Sequence, residues 1–585
     1  MNKDEEFAPT GLGETIFRER YAHTPEESWK EACERVATHV SKAEEEIDEE
    51  YFAEKFTEML VSNKFMPGGR IWYGAGRNKA QLLNCYVVPT EDSREGWGDT
   101  LRDTLIISGL GGGVGANFSP VRPRGSHIKG TGGVATGAVS LMNMVNKMGD
   151  ELVSGGGRRL ALMFCLDITH PDIEEFLHSK LDENELNNAN ISIVLDFDPV
   201  EFAEKVNNGG KIDLVFEGKK YGEIDALSVW KKIVKHAWDN GEPGVLNHYL
   251  AEKMSNISYH KPVISTNPCG EQWLEAYGAC DLGALVLPRF VKNGEFDWNE
   301  FDKTIRMAVR FLDDVLDVNY YPMEKIKKNC EEVRRIGLGV MGLHTMVMKL
   351  GMRYSSEEGK KFVDKVFNTI KIISYEESVE LAIEKGQFPA YRQEFLESDF
   401  IKTLPDYLQE MIEENGIRNC ALTTVAPTGT TSMVSNVSSG IEPLPAIVYR
   451  RTWKTIDENG RSIKKSEVVV DPSFYDYDTE VLESASDLHP RDHFEIQKII
   501  QKHVDNSISK TINLPKDYSI DELGYLWLEY LPYMKGSTFY RWGSRKDEPI
   551  SPIAKEEWGN YINVEASTNE DIFNDCVNGL CSLNA

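Results

Sequence analysis

The chain has 585 residues, and its 94 aspartates and glutamates outnumber its 65 lysines and arginines, which gives a formal net charge of −29. This acidity argues against nonspecific binding to nucleic acid or anionic membranes, and 41% hydrophobic with 10% aromatic residues excludes a largely disordered chain. No apolar run reaches the ~18 residues that a membrane-spanning helix needs. The first residues lack the basic and apolar regions of a signal peptide, and nine cysteines are too few for a disulfide scaffold, so we expect a cytoplasmic protein.

The predicted elements divide the chain into three parts. Apolar residues at spacings of three and four predict helices in residues 1–64, with Thr24 as a capping residue. Residues 65–552 alternate short apolar strands with helices, which is typical of parallel sheet covered by helices, and residues 205–225 form a polar surface excursion. Residues 553–585 are acidic and polar, as mobile chain ends usually are.

The most informative motif is the pentapeptide Asn-Pro-Cys-Gly-Glu at residues 267–271. Its proline and glycine force a tight loop that would hold the amide of Asn267, the thiol of Cys269 and the carboxylate of Glu271 close together. These groups are the parts needed for radical or nucleophilic thiol chemistry with a carboxylate base. Taken alone, the motif is more typical of a turn around a buried cysteine.

The other cysteines differ in how much they indicate. Cys576 and Cys581 are separated by a four-residue spacer near the C-terminus. A zinc site would need further ligands at short spacing, so a redox dithiol is the better interpretation. Cys85 and Cys280 are weak evidence singly, because a lone cysteine is usually a small buried hydrophobe. We interpret four more as structural: Cys33, Cys165, Cys330 and Cys420.

Three glycine-bearing segments are candidates for binding an anion. Residues 108–115 and 155–159 could let backbone amides approach one, the second beside Arg158 and Arg159. Residues 426–433 resemble the end of a strand running into the start of a helix, where hydroxyls and amides suit a phosphate. A structural turn explains any one segment about as well, and residues 108–115 fit neither the dinucleotide nor the Walker pattern. The three together favour a nucleotide.

In combination these motifs resemble those of a ribonucleotide reductase catalytic subunit, over roughly residues 60–585. Their order and separations are specific to that family. Leu160 and Asp281 stand where the family tends to have glycine and asparagine, which puts no catalytic position in doubt. The resemblance is carried by residues 83–85, 108–119, 121–123, 155–159, 170–173, 267–271, 280, 334–339, 426–433 and 438–443 and by the terminal cysteine pair.

The resemblance implies an α/β fold, a ten-stranded α/β barrel of two five-stranded parallel halves set antiparallel, with residues 267–271 as a finger loop through its centre. Cys269 at the tip would become the transient thiyl radical that removes the ribose 3′ hydrogen. Cys85 and Cys280 would supply a proton and two electrons and end as a disulfide, which requires their Cα atoms to lie within about 7 Å.

The same resemblance assigns the remaining site residues. Glu271 would act as general base on the 3′ hydroxyl, and Asn267 would orient the substrate. Cys576 and Cys581 would re-reduce the buried pair by thiol–disulfide exchange and then meet thioredoxin or glutaredoxin. The substrate phosphates would be bound by Thr428, Gly429, Thr430, Thr431 and Ser432.

The sequence also bears on the radical source. The dithiol occupies the place of a glycyl-radical motif, which sets that class aside. Class I subunits receive the radical from a ferritin-like partner through two adjacent tyrosines, whereas here Tyr540 is followed by Arg541. The stretch resembles class II, in which adenosylcobalamin generates the thiyl radical, and we expect no metal bound directly by this chain. The alternative within the family is a class I subunit that needs a ferritin-like small subunit and has Tyr540 on the radical path. Outside the family, the alternatives are a thiol–disulfide oxidoreductase and a metal-binding module.

Regulation and partners follow from the resemblance as expectations. The substrate is a ribonucleoside di- or triphosphate, with diphosphates favoured, and the chain is expected to form a homodimer. The helices begin near Thr24, which leaves no room for an ATP-cone, so we predict no overall switch by dATP. A deoxynucleotide effector would set substrate choice at the dimer interface, with contributions from residues 119–130 and 132–147.

Overall fold

The computed structural model describes residues 7–130, 132–151, 160–180, 186–456, 462–544 and 550–561. Cys576, Cys581, Arg158 and Arg159 therefore lie outside the described residues. The predicted mixed α/β class with an N-terminal helical region is confirmed. The helices are α1 (Leu12–Ile16), α2 (Trp29–Val40), α3 (Glu49–Val61), α4 (Gly69–Gly74), α5 (Arg94–Gly109), α6 (Ala138–Glu151), α7 (Ile173–His178), α8 (Pro199–Asn207), α9 (Ala226–Asn240), α10 (His248–Lys253), α11 (Trp298–Val318), α12 (Glu324–Val333), α13 (Leu343–Lys349), α14 (Glu357–Lys385), α15 (Asp406–Asn415), α16 (Gly429–Ser435), α17 (Ser473–Asp476), α18 (Pro490–Gln501) and α19 (Ile520–Tyr530). The strands are β1 (Phe65–Pro67), β2 (Cys85–Val87), β3 (Gly113–Asn117), β4 (Leu162–Asp167), β5 (Ala189–Leu195), β6 (Lys211–Phe216), β7 (Lys219–Asp225), β8 (Gly244–Asn247), β9 (Ser265–Thr266), β10 (Trp273–Leu274), β11 (Ala279–Cys280), β12 (Gly283–Val286), β13 (Val291–Lys292), β14 (Glu295–Phe296), β15 (Leu338–Met341), β16 (Val448–Ile456), β17 (Ser462–Val470), β18 (Thr511–Leu514), β19 (Gly536–Arg541) and β20 (Ile550–Pro552).

The N-terminal helices α1 to α3 bury their apolar faces in the main core. The prediction that Thr24 caps the second of them was wrong. Ser28 is the cap: its hydroxyl accepts a hydrogen bond from the Glu31 N–H, and the Glu31 carboxylate accepts one from the Ser28 N–H at 2.7 Å. This reciprocal box satisfies two donors at once, whereas Glu27, the other candidate carboxylate, pairs with Arg35 at 2.6 Å.

The largest sheet has eight strands in the order β11-β2-β3-β4-β5-β8-β19-β18. Its five strands β2, β3, β4, β5 and β8 are mutually parallel, and β19 joins β8 antiparallel while it pairs in parallel with β18. The parallel strands are buried nearly throughout, as expected for sheet that is covered by helices. The alternation of strands and helices therefore predicted this half of the fold correctly.

A second sheet, in the order β1-β12-β15, carries the parallel pair β12 and β15. Two isolated parallel bridges continue from it, Leu338 with Thr423 and Val425 with Ile508. The named strands of the described residues thus form separate sheets and not one closed ring.

The polar segment of residues 205–225 contains the antiparallel hairpin of β6 and β7, whose side chains are mostly exposed, so it is an excursion with regular structure. Within the described ranges, no helix is both long and apolar enough to cross a membrane.

Candidate active site

The loop of residues 267–271 connects the antiparallel strands β9 and β10. The Asn267 N–H donates to the Gln272 carbonyl at 3.1 Å, and the Gly270 N–H donates to the Asn267 carbonyl at 3.0 Å. Gly270 has φ +79°, a left-handed conformation that glycine adopts without strain. The side-chain oxygen of Asn267 also accepts the Gln272 N–H at 3.0 Å. The loop is therefore closed by its own hydrogen bonds.

Two glycines of β3 allow this loop to pass directly against the sheet. A Cβ atom at Gly115 would lie 1.6 Å from the Thr266 carbonyl oxygen, and one at Gly113 would lie 3.0 Å from the Pro268 ring. No side chain larger than hydrogen fits at Gly115 without displacing the backbone that leads into the loop. These glycines, which the sequence offered as part of an anion-binding segment, thus have a packing reason of their own.

The pairing of β2 with β11 places Cys85 and Cys280 directly opposite each other. Cα atoms of such antiparallel partners lie about 4.5–5.5 Å apart, which is within the range that a disulfide can span. Both are buried free thiols, whereas the Cys269 thiol is partly exposed. The side-chain amide of Asn267 donates to the Cys85 sulfur at 3.0 Å, so the pair lies against the loop.

Glu271 lies in the same buried group. The Cys85 thiol faces its Oε1 atom at 3.7 Å, and its Oε2 atom has no hydrogen-bond partner among the described residues. Burial raises the pKa of the Glu271 carboxyl to about 7, although hydrogen bonding from Asn267 and Cys85 lowers it. A carboxyl group with this pKa can exchange a proton near neutral pH.

Residues that the sequence did not single out fix the loop from the opposite side. The Glu271 carbonyl accepts hydrogen bonds from the Thr424 hydroxyl at 2.8 Å and from the Ser507 N–H at 3.0 Å. Asn506 accepts the Trp273 N–H at 2.7 Å through its side-chain oxygen. These residues belong to no short motif. The one sequence feature that marks them is that they are polar residues in otherwise apolar segments, next to the bridges of Leu338 with Thr423 and of Val425 with Ile508.

The predicted phosphate segment begins helix α16. Its N-cap, Thr428, has φ +53°, and the Thr428 hydroxyl accepts the Gly440 N–H at 2.8 Å. The Thr430 hydroxyl lies 2.6 Å from that of Tyr21, and the Ser432 and Ser439 hydroxyls are 2.9 Å apart. The first turn of a helix presents N–H groups that have no partner within the helix. The segment thus combines backbone donors with a cluster of hydroxyl groups.

Two family models match this chain. The one described as "Ribonucleotide reductase, barrel domain" matches residues 83–530, and the one described as "Ribonucleotide reductase, all-alpha domain" matches residues 7–80. The chain belongs to the ribonucleotide reductase family. The alternatives of a thiol–disulfide oxidoreductase and of a metal-binding module are therefore not favoured.

Named relatives of the reductase cover most of its length. It is 32% identical over 574 residues to the "Vitamin B12-dependent ribonucleoside-diphosphate reductase" of Mycobacterium tuberculosis (strain CDC 1551 / Oshkosh), covering 92% of this chain and 80% of the relative. It is 34% identical to the protein of the same name from Thermoplasma acidophilum, covering 84% and 65%. The "Ribonucleoside-diphosphate reductase subunit alpha" of Chlamydia muridarum is 26% identical, covering 76% and 48%.

The position of Tyr540 in the reductase bears on the radical source. Tyr540 is buried in β19 opposite Asn513, with its ring centroid 5.4 Å from that of Trp542. The neighbouring Arg541 donates from Nε to the Trp238 carbonyl at 3.0 Å, and its guanidinium lies 3.5 Å from the centroid of that ring. Arg541 therefore anchors β19 to the end of α9.

The four cysteines interpreted as structural are all buried: Cys33, Cys165, Cys330 and Cys420. In the part of the chain that the structure describes, no group of three or more His, Cys, Asp or Glu side chains is placed to hold a metal ion.

Proposed function

We propose that this reductase converts ribonucleoside diphosphates into deoxyribonucleoside diphosphates by class II chemistry, with adenosylcobalamin as cofactor. The observation that carries the proposal is the meeting of Cys85, Cys280, Asn267 and Glu271 around the loop that bears Cys269. The M. tuberculosis and T. acidophilum relatives are named vitamin B12-dependent ribonucleoside-diphosphate reductases, which supports the cofactor and the diphosphate substrate.

The proposed roles follow the chemistry of the 2′ hydroxyl, which is a poor leaving group until a radical stands beside it and a proton is added. Cys269, as a thiyl radical, takes the 3′ hydrogen, and Glu271 accepts the proton of the 3′ hydroxyl. The 2′ hydroxyl then leaves as water with one proton from the Cys85 and Cys280 pair. The second hydrogen of the pair goes to C2′, so the pair has supplied two protons and two electrons and ends as a disulfide. Asn267 orients the substrate. The 3′ hydrogen finally returns from Cys269.

The site fits adenosylcobalamin in one respect that matters. The chemistry that the cofactor supplies when bound is a carbon radical, from homolysis of a cobalt–carbon bond, that can take the hydrogen of a thiol. Cys269 is the only partly exposed thiol of the three, so it is the one that such a group can reach. Glu271 and Cys85, by contrast, are buried.

The arrangement around Tyr540 supports class II over class I. A class I path needs two adjacent tyrosines, and Arg541 is held by Trp238 in the second position. Gly536 begins the same strand, and a Cβ atom at Gly536 would lie 3.9 Å from the Gly270 carbonyl oxygen. Tyr540 lies four residues further on, roughly 13 Å along the strand at the usual rise.

For the fold we propose closure into the ten-stranded barrel. Strands β11 and β12 are nearly continuous and join the two sheets at one side, because β11 pairs with β2 and β12 with β15. On the other side, the bridges at Thr423 and Val425 link β15 towards the chain segment that enters β18. This circuit gives two five-stranded parallel halves. We likewise propose the division into residues 1–64, 65–552 and 553–585, whose last part lies mostly outside the described residues.

For binding we propose that residues 428–432 hold the substrate phosphates, which their hydroxyls and first-turn amides support. Cys576 and Cys581 are proposed as the shuttle dithiol that meets thioredoxin or glutaredoxin, on the strength of their spacing alone. The use of cysteine supports a cytoplasmic location.

We propose a homodimer formed through the α5 and α6 faces. Leu105, Ile106 and Met144 are large apolar side chains that these helices leave exposed, and a second copy would cover them. Residues 119–130, which precede α6, are fixed by the Arg122–Asp92 ion pair at 2.6 Å. A deoxynucleotide effector bound beside this segment and residues 132–147 would sit at the interface.

The decisive experiment measures reduction of CDP and CTP by the purified chain with adenosylcobalamin and dithiothreitol. Turnover of CDP without any second protein is the expected result. Strict dependence on a metal-loaded helical partner would establish class I instead. Full activity of C269A alongside an inactive C85A would refute the radical mechanism.

A further inference from the structure

A side chain of the large sheet holds the tip of the loop of residues 267–271. Asn190 is the second residue of β5, and its side-chain amide donates a hydrogen bond to the Pro268 carbonyl oxygen at 3.0 Å. Pro268 directly precedes Cys269 in the chain. Asn190 is half-buried and belongs to no motif of the sequence. The residue that carries the reactive thiol is therefore tied to the sheet through the residue before it.

The strand register explains why Asn190 faces this loop. Asn190 pairs with Met163 of β4, and Met163 pairs with Gly115 of β3, so the three residues form one row across the sheet. Paired residues of parallel strands lie on the same face. Met163 belongs to the same buried cluster as Trp273 of β10, and Gly115 lies close against Thr266 of β9. This face therefore lies against the β9–β10 hairpin, and Asn190 continues the row towards the tip.

The geometry of the peptide bond transmits this contact to Cys269. The atoms from the Cα of Pro268 to the Cα of Cys269 lie in one rigid plane, and the carbonyl oxygen that Asn190 binds is one of them. The ring of Pro268 is in contact as well, since a Cβ atom at Gly113 would lie 3.0 Å from it. The hydrogen bond and the ring contact together restrict the position of the Cys269 Cα atom, while its thiol stays partly exposed.

We propose that Asn190 is a positioning residue that holds the Pro268–Cys269 peptide so that the Cys269 sulfur is aligned with the ribose 3′ hydrogen. The inference rests on the proposed function of Cys269 as the thiyl radical. A displacement of about 1 Å in a reacting group can lower a rate about 100-fold. Asn190 acts through Cys269 and not on the nucleotide, so its loss should lower kcat and leave the KM for CDP unchanged.

The first test measures CDP reduction by Asn190→Ala and Asn190→Asp with adenosylcobalamin and dithiothreitol. We expect kcat to fall about 10- to 100-fold in both variants, with the KM for CDP within about twofold of that of the unsubstituted chain. Aspartate keeps the shape of asparagine but has no N–H to donate, so it should not perform better than alanine.

The second test needs neither cofactor nor turnover. The chain is treated with iodoacetamide, and the rate at which Cys269 is alkylated is followed by mass spectrometry of its peptide. Asn190→Ala should raise this rate at least about threefold, because the tip loses a hydrogen bond that restricts it. Tryptophan fluorescence of each variant during urea unfolding checks that the chain is folded under the assay conditions.

Ser192→Ala is the matched control. Ser192 is a buried polar residue two positions further along β5, on the same face, and it pairs with Cys165 of β4. This substitution disturbs the same strand without removing the bond to Pro268. It should leave kcat and the alkylation rate of Cys269 within about twofold of the values of the unsubstituted chain.

Four results would overturn the inference. They are a kcat of Asn190→Ala within twofold of the unsubstituted value, a tenfold rise in the KM for CDP at unchanged kcat, an equal loss of kcat in Ser192→Ala, and an unchanged alkylation rate of Cys269 in Asn190→Ala. The second of these would make Asn190 a substrate contact. Failure of the unsubstituted chain to reduce CDP would refute the proposed function, and the alkylation rates would still decide whether Asn190 holds the tip.

Discussion

Replacing Glu271 by glutamine separates what this carboxyl group does for catalysis from what it does to stability. In the folded protein its pKa is about 7, against an ordinary value of 4.5, because the group is buried. The native state therefore holds a proton that the unfolded chain releases, so stability falls as pH rises from about 4.5 and the loss is complete above pH 7. The shift corresponds to about 3 kcal/mol at pH 8 and to less than about 1 kcal/mol at pH 5.

We therefore expect E271Q to be inactive. The difference in free energy of unfolding between E271Q and the unsubstituted chain should be about 2–3 kcal/mol more in favour of E271Q at pH 8 than at pH 5. Comparing the two pH values isolates the ionisation, because any fixed cost of packing the amide is the same at both. Urea unfolding followed by tryptophan fluorescence measures the difference. An equal effect at both pH values would show that Glu271 is not held near neutrality by burial, and the proposed base would lose its physical basis.

Glu275 provides the matched control for this experiment, since it is equally buried and lies four residues further along the chain. Burial, the largest single effect, raises its pKa, but the charge of Arg335 and the hydrogen bonds from Asn329 and Arg335 together outweigh burial, so the pKa is lowered. This carboxylate is ionised at both pH 5 and pH 8. E275Q should therefore be destabilised by about 3–5 kcal/mol at both values, because it leaves the Arg335 charge buried and unpaired.

Three further predictions concern the same site. The kcat/KM of the reductase should rise about tenfold per pH unit up to the pKa of Glu271 near 7 and level above it, since a general base must be deprotonated to accept a proton; a flat profile between pH 5 and 8 would argue against this role. G115A should abolish activity and destabilise the chain by about 1–3 kcal/mol or more, because its Cβ would collide with Thr266. G109A, whose Cβ would meet nothing within 4 Å, should leave activity and stability unchanged or improved. Equal effects of the two substitutions in urea unfolding would refute the packing argument. Y540F should retain CDP reduction with adenosylcobalamin, and loss of turnover with intact cofactor binding would favour a class I radical path.

Local sequence patterns predicted the parts of the fold that depend on neighbours in the chain. The helical periodicity in residues 305–316 and 362–384 lies within α11 and α14, and the apolar segments at 85–89, 191–195 and 284–288 overlap β2, β5 and β12. The start of α2 was misplaced because Thr24 and Ser28 both precede a suitable glutamate. Only the tertiary pairing of Glu27 with Arg35 decides between them.

The candidate site was predictable as a set of residue types and not as a geometry. The pentapeptide at 267–271 indicated a thiol, an amide and a carboxylate on one turn, but nothing in it indicated that the amide would bind a cysteine 182 positions away. Thr424 and Ser507 fix the Glu271 carbonyl from segments that carry no motif. Such contacts arise from the closure of the sheets around the loop, which no local pattern encodes.

The proposed mechanism makes two opposing demands on the loop of residues 267–271. A thiyl radical must be kept from other hydrogen donors, whereas the same thiol must be reached by the group that oxidises it and by the ribose. Different parts of the loop suit these two demands, since its base lies close against Gly115 and accepts a hydrogen bond from Thr424, while Cys269 at its tip is partly exposed. Protein atoms therefore leave the tip incompletely covered, and we expect the bound substrate to complete the shielding. Radical formation in the absence of a nucleotide should then consume the thiol without productive turnover, so binding of substrate before radical formation is the order of events that this geometry favours.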